Sequence, residues 1–470
     1  MDRRHGRRRL RASPGPPVRL PRSALLLGLA RTHLALGRFL RQSGAEVTVA
    51  DDRSLEALGD VVAAAEQLGL RLALGGTDPS LLHGIGTLYV SPGVPRSHAL
   101  VAAARRDGIA VSSEIELFFD LCDRRIAAIT GSAGKTTTTT LVGRMLEASG
   151  VDTFVGGNIG RPAIDYIAGG FAGEVVLELS SFQLENLRRS PGIGAILNLT
   201  PNHLDRHLDL DAYRDAKANL LRYQKSGDVA ILNADDETLV PLSSLGEGRR
   251  DHFSLQRHVQ NGAWFDGDRL LLGTASRGGV ICRRADLRLR GDHNIANVLA
   301  AATTAAHLGA SMEAISAIAR TFGGVEHRIE EVGRVGGALW YNDSKATSPA
   351  ETIAALRSFD PGVILLAGGR SKRVPLDDLA REIQARARSV VLFGELRCEL
   401  HDAIAQAGAP APAASVGSLR EAVDAAYGLA RPGDIVLLSP SGSSFDEFRD
   451  YEARGRAFKE MVGTLAATER

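Results

Sequence analysis

Cysteine is scarce: Cys122, Cys282 and Cys398 are scattered through 470 residues, with no C-x-x-C pair. That spacing argues against a disulfide framework or a thiolate zinc site and fits a reducing compartment, so a cytoplasmic protein is expected. No apolar run approaches the ~20 residues a bilayer-spanning helix needs, and no membrane partner is expected. Net charge is close to zero, +1 at neutral pH, which gives no electrostatic reason to expect nucleic acid. Against these shortages, a hydrophobic content of 44% and a charged content of 24% are those of an ordinary globular protein. A chain of 470 residues exceeds one compact core, and about 150 residues per domain suggests three. Met1 to Arg22 is rich in arginine and proline and is expected to be a disordered basic arm. The apolar run Ala24 to Ala30 behind it could pass for a secretion signal. Arg31 stops that run early and no clear small-residue cleavage site follows, so a domain-opening strand explains it better.

The most informative stretch is Thr130-Gly131-Ser132-Ala133-Gly134-Lys135-Thr136, continuing in threonines to Thr140. The apolar residues Ile126 to Ile129 precede it as a short buried strand. Leu141, Val142, Met145 and Leu146 follow at helical spacing. A glycine-rich turn between strand and helix aims several backbone N–H groups into one concavity at a helix N-terminus, a natural seat for phosphate oxygens. Lys135 adds a mobile positive charge, and the Thr136 hydroxyl can ligate a magnesium ion carried by a nucleotide. Ile129 stands where the full G-x-x-x-x-G-K-[ST] pattern has its first glycine.

Around this turn the chain alternates strands and helices, which implies a mostly parallel sheet in each unit. A βαβ opening from Ala24 to Ala50 places a ligand outside the strands' carboxyl ends; Asp52 and Arg53 by themselves read as solvated turn residues. The first α/β unit ends near Glu114. Gly156-Gly157-Asn158-Ile159-Gly160 reads as a loop that permits close backbone approach. Val175 to Ser181 reads as a buried strand, in which Glu178 requires a partner or a metal; magnesium is favoured beside a phosphate loop. A strand from Gly194 to Leu199 leads into a cluster containing His203, Asp205, Arg206 and His207. Helical spacing makes Lys217 a surface residue, and Asn294 and Asn297 near a helix start read as caps. A third unit from about Val325 carries polar strand-end loops at 342–349, 368–372 and 438–445.

These motifs, in this order, resemble the Mur ligases of peptidoglycan synthesis. The match covers nearly everything after the basic arm. The turn at 130–136 is similar to the family's shortened phosphate loop, which accounts for Ile129. Gly-Gly-Asn-Ile-Gly at 156–160 and Glu-Leu-Ser-Ser-Phe-Gln-Leu-Glu at 178–185 are similar to the D-glutamate-adding branch. So are Asn-Asp-Ser-Lys-Ala-Thr at 342–347 and Leu-Ser-Pro-Ser-Gly-Ser-Ser-Phe-Asp at 438–446. The Asp-Asn-Pro-Arg signature of the diaminopimelate-adding branch is absent.

The resemblance implies an α/β fold of three domains: a Rossmann-like uridine-nucleotide domain at 23–114, a central P-loop ATPase domain at 115–324 and a Rossmann-like amino-acid domain at 325–470. It implies ATP-dependent ligation of D-glutamate to UDP-N-acetylmuramoyl-L-alanine by a monomer, through an acyl phosphate guarded from water by domain closure. Gly131, Ser132, Ala133, Gly134, Lys135, Thr136 and Thr137 would hold the ATP phosphates. Asn294 and Asn297 would approach adenine, and Arg328, Asp343 and Lys345 would reach the nucleotide. Two magnesium ions would be served by Thr136, Glu178, His203 and Lys217. The last is implied as a carbamylated lysine, which overrides the surface assignment from spacing. Lys135, Glu178, His203 and Lys217 form the catalytic set. Arg31, Thr32, Asp52 and Arg53 would surround the uracil nucleotide, and Asn158 and His203 would contact the muramoyl substrate. Lys345, Thr347, Lys372, Ser444, Phe445 and Tyr451 would surround D-glutamate.

The chain departs from the family pattern at Ala30 and His33, which replace glycines of the first turn, at Asn202, and mildly at Tyr451. Two rivals share part of this evidence. A folylpolyglutamate synthetase lacks the separate domain that nearly a hundred residues before Gly131 supply here. A non-catalytic nucleotide-binding regulator would have no use for Glu178, His203, Lys217, Arg328 and Lys345 together.

Overall fold

The computed structural model describes residues 19–95, 97–200, 209–274, 278–289, 291–371, 375–408 and 411–468. Most of the basic arm, the cluster around Asn202 and His203, and Lys372 lie outside the described residues. The chain divides between Thr321 and Phe322 into two compact units. No helix among the described residues is long and apolar enough to cross a membrane.

The first unit contains two sheets. One is wholly parallel, in the order Arg71–Leu74, Glu46–Asp51, Ser23–Leu27, Thr87–Val90, Ala110–Ser112. Ser23–Leu27 reads as a continuous apolar run because both of its faces are covered: Leu26 enters one core, Leu25 and Leu27 the other. The strand order reverses beside this strand, and the crevice at its carboxyl end is the ligand position of doubly wound sheets. Helix Arg31–Gln42 follows that end and buries Leu36, Phe39 and Leu40 against the sheet.

The second sheet has nine strands, with Ile126–Thr130 between Glu174–Glu178 and Ile193–Ile196. Thr130, Glu178 and Ile196 thus end at one level, which gathers their following loops at a single rim. Six parallel pairings, the outermost reaching Gly262–Phe265, give way at one edge to two antiparallel ones, which add Arg269–Gly273 and then Gly278–Arg283. These depart from the strand–helix alternation expected from sequence. The first reversal is made by Asp266, whose Oδ1 accepts the N–H groups of Asp268 (3.1 Å) and Arg269 (2.7 Å).

Two local boundaries also differ. Gly156 and Gly157 end the strand Thr153–Gly157 and do not lie wholly in a loop. The buried strand stops at Glu178 and does not run to Ser181, because Ser180 and Gln183 form a capping box that starts helix Ser181–Leu184.

The second unit holds a six-stranded sheet in the order Glu330–Val335, Ala338–Asn342, Ile435–Ser441, Val363–Gly368, Ala387–Phe393, Ala414–Ser415. The first pair is antiparallel and the others parallel. Helix Tyr451–Thr468 sends Phe458 and Val462 into the core around Trp340.

Within the first unit, a buried carboxylate helps to join the two sheets' helices. Glu114 opens helix Glu114–Leu121, and its Oε1 accepts the Ile164 N–H at 2.7 Å, at the start of helix Ile164–Ala168. Arg38 of helix Arg31–Gln42 pairs with Asp165 at 2.7 Å on the same short helix. Burial pushes the Glu114 carboxyl up to about 7; Asp165 adds to this, and the N–H groups of Ile164 and Ala163 oppose it. A folded pKa raised above 4.5 means that the folded state binds the extra proton between pH 4.5 and about 7. Stability therefore falls as pH rises through that window. Glu114→Gln keeps an acceptor for Ile164 and has no charge to bury. Urea unfolding should show the variant gaining up to about 3 kcal/mol on the parent protein between pH 5 and pH 8. A parent-to-variant difference that stays constant with pH contradicts this.

Candidate active site

The phosphate turn fills the gap between strand Ile126–Thr130 and helix Lys135–Ala148. Gly134 caps the helix at φ 82°, and a Cβ there would lie 2.2 Å from Asn297 Oδ1. Conformation and space both demand glycine. The turn is fastened to the end of the neighbouring strand. Ala133 donates its N–H to Asn198 Oδ1 (2.9 Å), Asn198 Nδ2 donates back to the Ala133 carbonyl (3.2 Å), and Ser132 N–H meets the Asn198 carbonyl (3.0 Å). Lys135 Nζ donates to the carbonyls of Gly131 (2.9 Å) and Ser132 (3.1 Å), so its charge lies over the turn itself. A helix N-terminus and the Lys135 charge meet at this turn, an arrangement that suits a polyphosphate.

Glu178 is buried at 2% exposure and fully engaged. Thr136 Oγ1 donates to its Oε2 at 2.8 Å, and Asn158 Nδ2 donates to its Oε1 at 2.8 Å. The hydroxyl and carboxylate are both hard oxygen donors of the kind magnesium takes, and they sit directly behind the turn. Among the described residues no group of three or more His, Cys, Asp or Glu is assembled for a metal. A magnesium ion at Glu178 would take further oxygen ligands, such as the Thr136 hydroxyl and the oxygens of a bound nucleotide.

Lys217 is 1% exposed, which corrects the surface position that helical spacing gives it. Helix Leu210–Arg222 buries Tyr213 and every residue from Ala216 to Leu221, an arc much wider than the single stripe its apolar residues define. Lys217 Nζ donates to Thr130 Oγ1 (3.0 Å) and the Gly131 carbonyl (3.1 Å) and lies 4.7 Å from the Tyr213 ring centroid. Burial pushes its ammonium pKa well below the usual lysine range; Lys135 adds to the shift and Glu178 opposes it. Burial favours the neutral amine, the form that a carbamate at this position would require.

Asn294 and Asn297 lie inside helix Asp292–His307, whose N-cap is Gly291, so neither is the cap that sequence suggests. Asn297 accepts from Thr138 Oγ1 (3.3 Å) and donates to Asn294 Oδ1 (3.2 Å), beside Gly134.

In the parallel sheet's crevice the central residue is Asp51, which sequence reasoning passed over for its neighbours. Its Oδ2 accepts the Leu29 N–H (2.7 Å), and Arg53 grips both carboxylate oxygens while reaching the Leu29 carbonyl (3.1 Å). Asp52 turns away to bind Thr77 Oγ1 (2.8 Å) and His98 Nε2 (3.0 Å). Arg31 and Thr32 open the helix after this turn. His33, in place of a glycine, is fully buried with Nδ1 2.7 Å from the Gly28 carbonyl. Since a carbonyl only accepts, Nδ1 carries the proton; burial lowers the ring's pKa to about 4, so it is neutral.

In the second unit, Asp343 is buried and accepts from Ile329 N–H (3.2 Å) and Ser439 Oγ (2.8 Å). Burial pushes its carboxyl up to about 7, against the opposing effects of Ser439 and Arg328. Arg454 joins two of the loops singled out from sequence. It donates to Ser344 Oγ (3.0 Å) and the Ser344 carbonyl (2.8 Å), and to the carbonyls of Gly442 and Ser443 (3.2 Å each). Lys345, Thr347 and Ser444 lie in these two loops; Ser444 is buried and Phe445 is 61% exposed. Tyr451 starts the final helix.

Three family models cover the chain in succession: a MurD-like Mur ligase N-terminal domain at 22–113, a Mur ligase middle domain at 129–305 and a Mur ligase glutamate ligase domain at 327–442. A UDP-N-acetylmuramoylalanine--D-glutamate ligase of Symbiobacterium thermophilum is 40% identical over 96% of this chain and 99% of its own. The chain belongs to the Mur ligase family. A second relative with the same name, from Clostridium novyi, is 39% identical over 94% of this chain and 96% of its own. Among solved structures, UDP-N-acetylmuramate-alanine ligase MurC from Thermotoga maritima aligns over 94% of this chain and 99% of its own, with a TM-score of 0.57 at 18% identity. MurF from Acinetobacter baumannii aligns over 91% and 86%, with a TM-score of 0.53, also at 18% identity. Those two likenesses carry the fold of the family and nothing finer.

Membership agrees with a turn built around Gly134, and substitution there should be costly. Gly134→Ala is expected to weaken ADP binding at least tenfold by titration calorimetry, through strain and the collision with Asn297. Gly227→Ala, with open space around its Cβ, should leave binding unchanged. Equal affinities in the two variants contradict this account of the turn.

Proposed function

We propose that this chain joins the amino group of D-glutamate to the free carboxylate of UDP-N-acetylmuramoyl-L-alanine, with ATP converted to ADP and phosphate. The observation that carries the reading is the enclosure of Glu178, Thr136 and Lys217 around a phosphate turn, in a chain whose near-full-length relatives bear that activity in their names. A carboxylate is a poor acyl donor because oxide would have to leave. Transfer of the γ-phosphoryl group to one carboxylate oxygen, with ADP departing, makes phosphate the leaving group instead. The amine nitrogen then bonds to the acyl carbon, phosphate leaves with that oxygen, and the amine's surplus proton is released.

The protein's contribution is positioning and electrostatics. Gly131 to Thr137 form the phosphate seat at the helix N-terminus, where Asn198 takes the N–H groups of Ser132 and Ala133 and so fixes the turn's shape, and Lys135 offsets charge on the group in transit. Thr136 and Glu178, with His203 and a carbamylated Lys217, are the proposed holders of two magnesium ions. Magnesium, when bound, would neutralise phosphate oxygens. Asn294 and Asn297 serve the adenine side. Arg328, Asp343 and Lys345 are the nucleotide-facing set of the second unit. Asn158 meets the muramoyl group, and Arg31, Thr32, Asp52 and Arg53 meet the uridine nucleotide, to which Asp51 is added here as the residue that fixes Arg53. Lys345, Thr347, Lys372, Ser444, Phe445 and Tyr451 form the D-glutamate set, in which two lysines offset two carboxylates. The domains are proposed to divide at 114/115 and 324/325, and the protein is proposed to act as a cytoplasmic monomer.

Purified protein should release phosphate from ATP only when UDP-N-acetylmuramoyl-L-alanine and D-glutamate are both present. Equal turnover with L-glutamate or lysine would overturn the assignment. Lys217→Ala should lose most activity and regain part of it with a small added carboxylic acid that fills the anionic position. An unchanged rate in that variant would rule out a carbamate.

A further inference from the structure

Arg328 leaves the backbone from an unusual turn. Val325, Glu326, His327 and Arg328 close on a bond from the Arg328 N–H to the Val325 carbonyl at 3.0 Å. His327 has φ 64° and Ile329 has φ 47°. Two left-handed residues that are not glycine therefore flank one arginine, and one of them is branched at Cβ. Such backbone persists only where its surroundings over-determine it.

The surroundings do so from helix Tyr451–Thr468 and strand Ala338–Asn342. His327 is buried; Asn342 Nδ2 lies 2.9 Å from its Nδ1, and the Lys345 N–H donates to its carbonyl at 3.0 Å. A Cβ at Gly455 would fall 2.2 Å from His327 Nδ1, so the helix admits this ring only at a glycine. Ile329 N–H is held by Asp343. Glu330 Oε2 accepts the His327 N–H (2.9 Å) and Asn342 Nδ2 (3.1 Å). Lys459 then reaches across the outside: its Nζ donates to Glu326 Oε1 at 2.6 Å and to Glu330 Oε1 at 3.0 Å. Glu326 lies on one side of the His327-Arg328-Ile329 segment and Glu330 on the other, so a single ammonium bridges both ends.

We propose that Lys459 is a positioning residue for Arg328, clamping the strained turn through Glu326 and Glu330 and so fixing the direction in which the guanidinium is presented. This rests on the reading of Arg328 as nucleotide-facing. Lys459 belongs to none of the residue sets given above. Its side chain is 28% exposed, and Glu326 at the far end is 58% exposed. The clamp is therefore accessible to substitution without opening the core.

The test is ATP affinity and steady-state kinetics of the full chain, in single variants and in combination. Lys459→Met is expected to weaken ATP binding about five- to twentyfold with an unchanged KM for UDP-N-acetylmuramoyl-L-alanine, and Lys459→Arg should restore most of it. Arg328→Ala should weaken ATP binding as well, and adding Lys459→Met to Arg328→Ala should cause no further loss. Equal, independent losses in the double variant would show that Lys459 does not act through Arg328 and overturn the proposal. Normal ATP affinity in Lys459→Met beside a weakened Arg328→Ala would overturn it too. Normal affinity in Arg328→Ala would remove the nucleotide-facing reading itself, and the proposal with it. If Lys459→Met does not fold, Glu326→Gln loosens the clamp at its exposed end and is read in the same way.

Discussion

A buried carboxylate and a buried amine under one glycine-rich turn are the constraint on which the rest of this structure depends. Glu178 and Lys217 are removed from water, and isolated charges in such places are costly. Glu178 is satisfied by Thr136 and Asn158, and Lys217 by Thr130 and the Gly131 carbonyl. Each partner comes from the carboxyl end of a strand in the nine-stranded sheet, from the turn after it, or, for Thr136, from the first turn of the helix that follows. Parallel pairing of Ile126–Thr130 with Glu174–Glu178 and Ile193–Ile196 brings these ends level, which is the step from topology to chemistry.

Polar atoms held this firmly are organised before substrate arrives. Lys135 folds over the carbonyls of its own turn, and Asn198 fixes Ala133 from both sides. In the proposed reaction such preorganisation would reduce the reorganisation needed during phosphoryl transfer, which is where an electrostatic catalyst gains most. The second unit is held by different parts: Arg454 ties two loops together, and Arg328 lies between two left-handed residues.

Much of this was legible in the sequence, and the failures have physical causes. The phosphate turn announced itself because glycine, lysine and threonine at that spacing serve few other purposes, and Glu178 because a carboxylate inside an apolar strand demands explanation. Lys217 could not be seen from periodicity, since its helix is buried over most of its circumference; only the resemblance to a family located it. Asp51 was passed over because its function is to hold Arg53 and the Leu29 N–H, a contact 22 residues away that no local pattern encodes. Arg454 was invisible for the same reason, 110 residues from Ser344. The antiparallel edge at 262–283 was missed because its strands are short and glycine-rich, where alternation is weakest.

The central claim is that this site activates a carboxylate by phosphorylating it, as distinct from hydrolysing ATP beside it. Its most direct test follows the oxygen. UDP-N-acetylmuramoyl-L-alanine labelled with oxygen-18 in its free carboxylate is turned over with ATP and D-glutamate, and the released phosphate is weighed by mass spectrometry. An acyl phosphate predicts one labelled oxygen in each phosphate released and one retained in the amide. Phosphate that carries no label, with product still formed, would contradict the account.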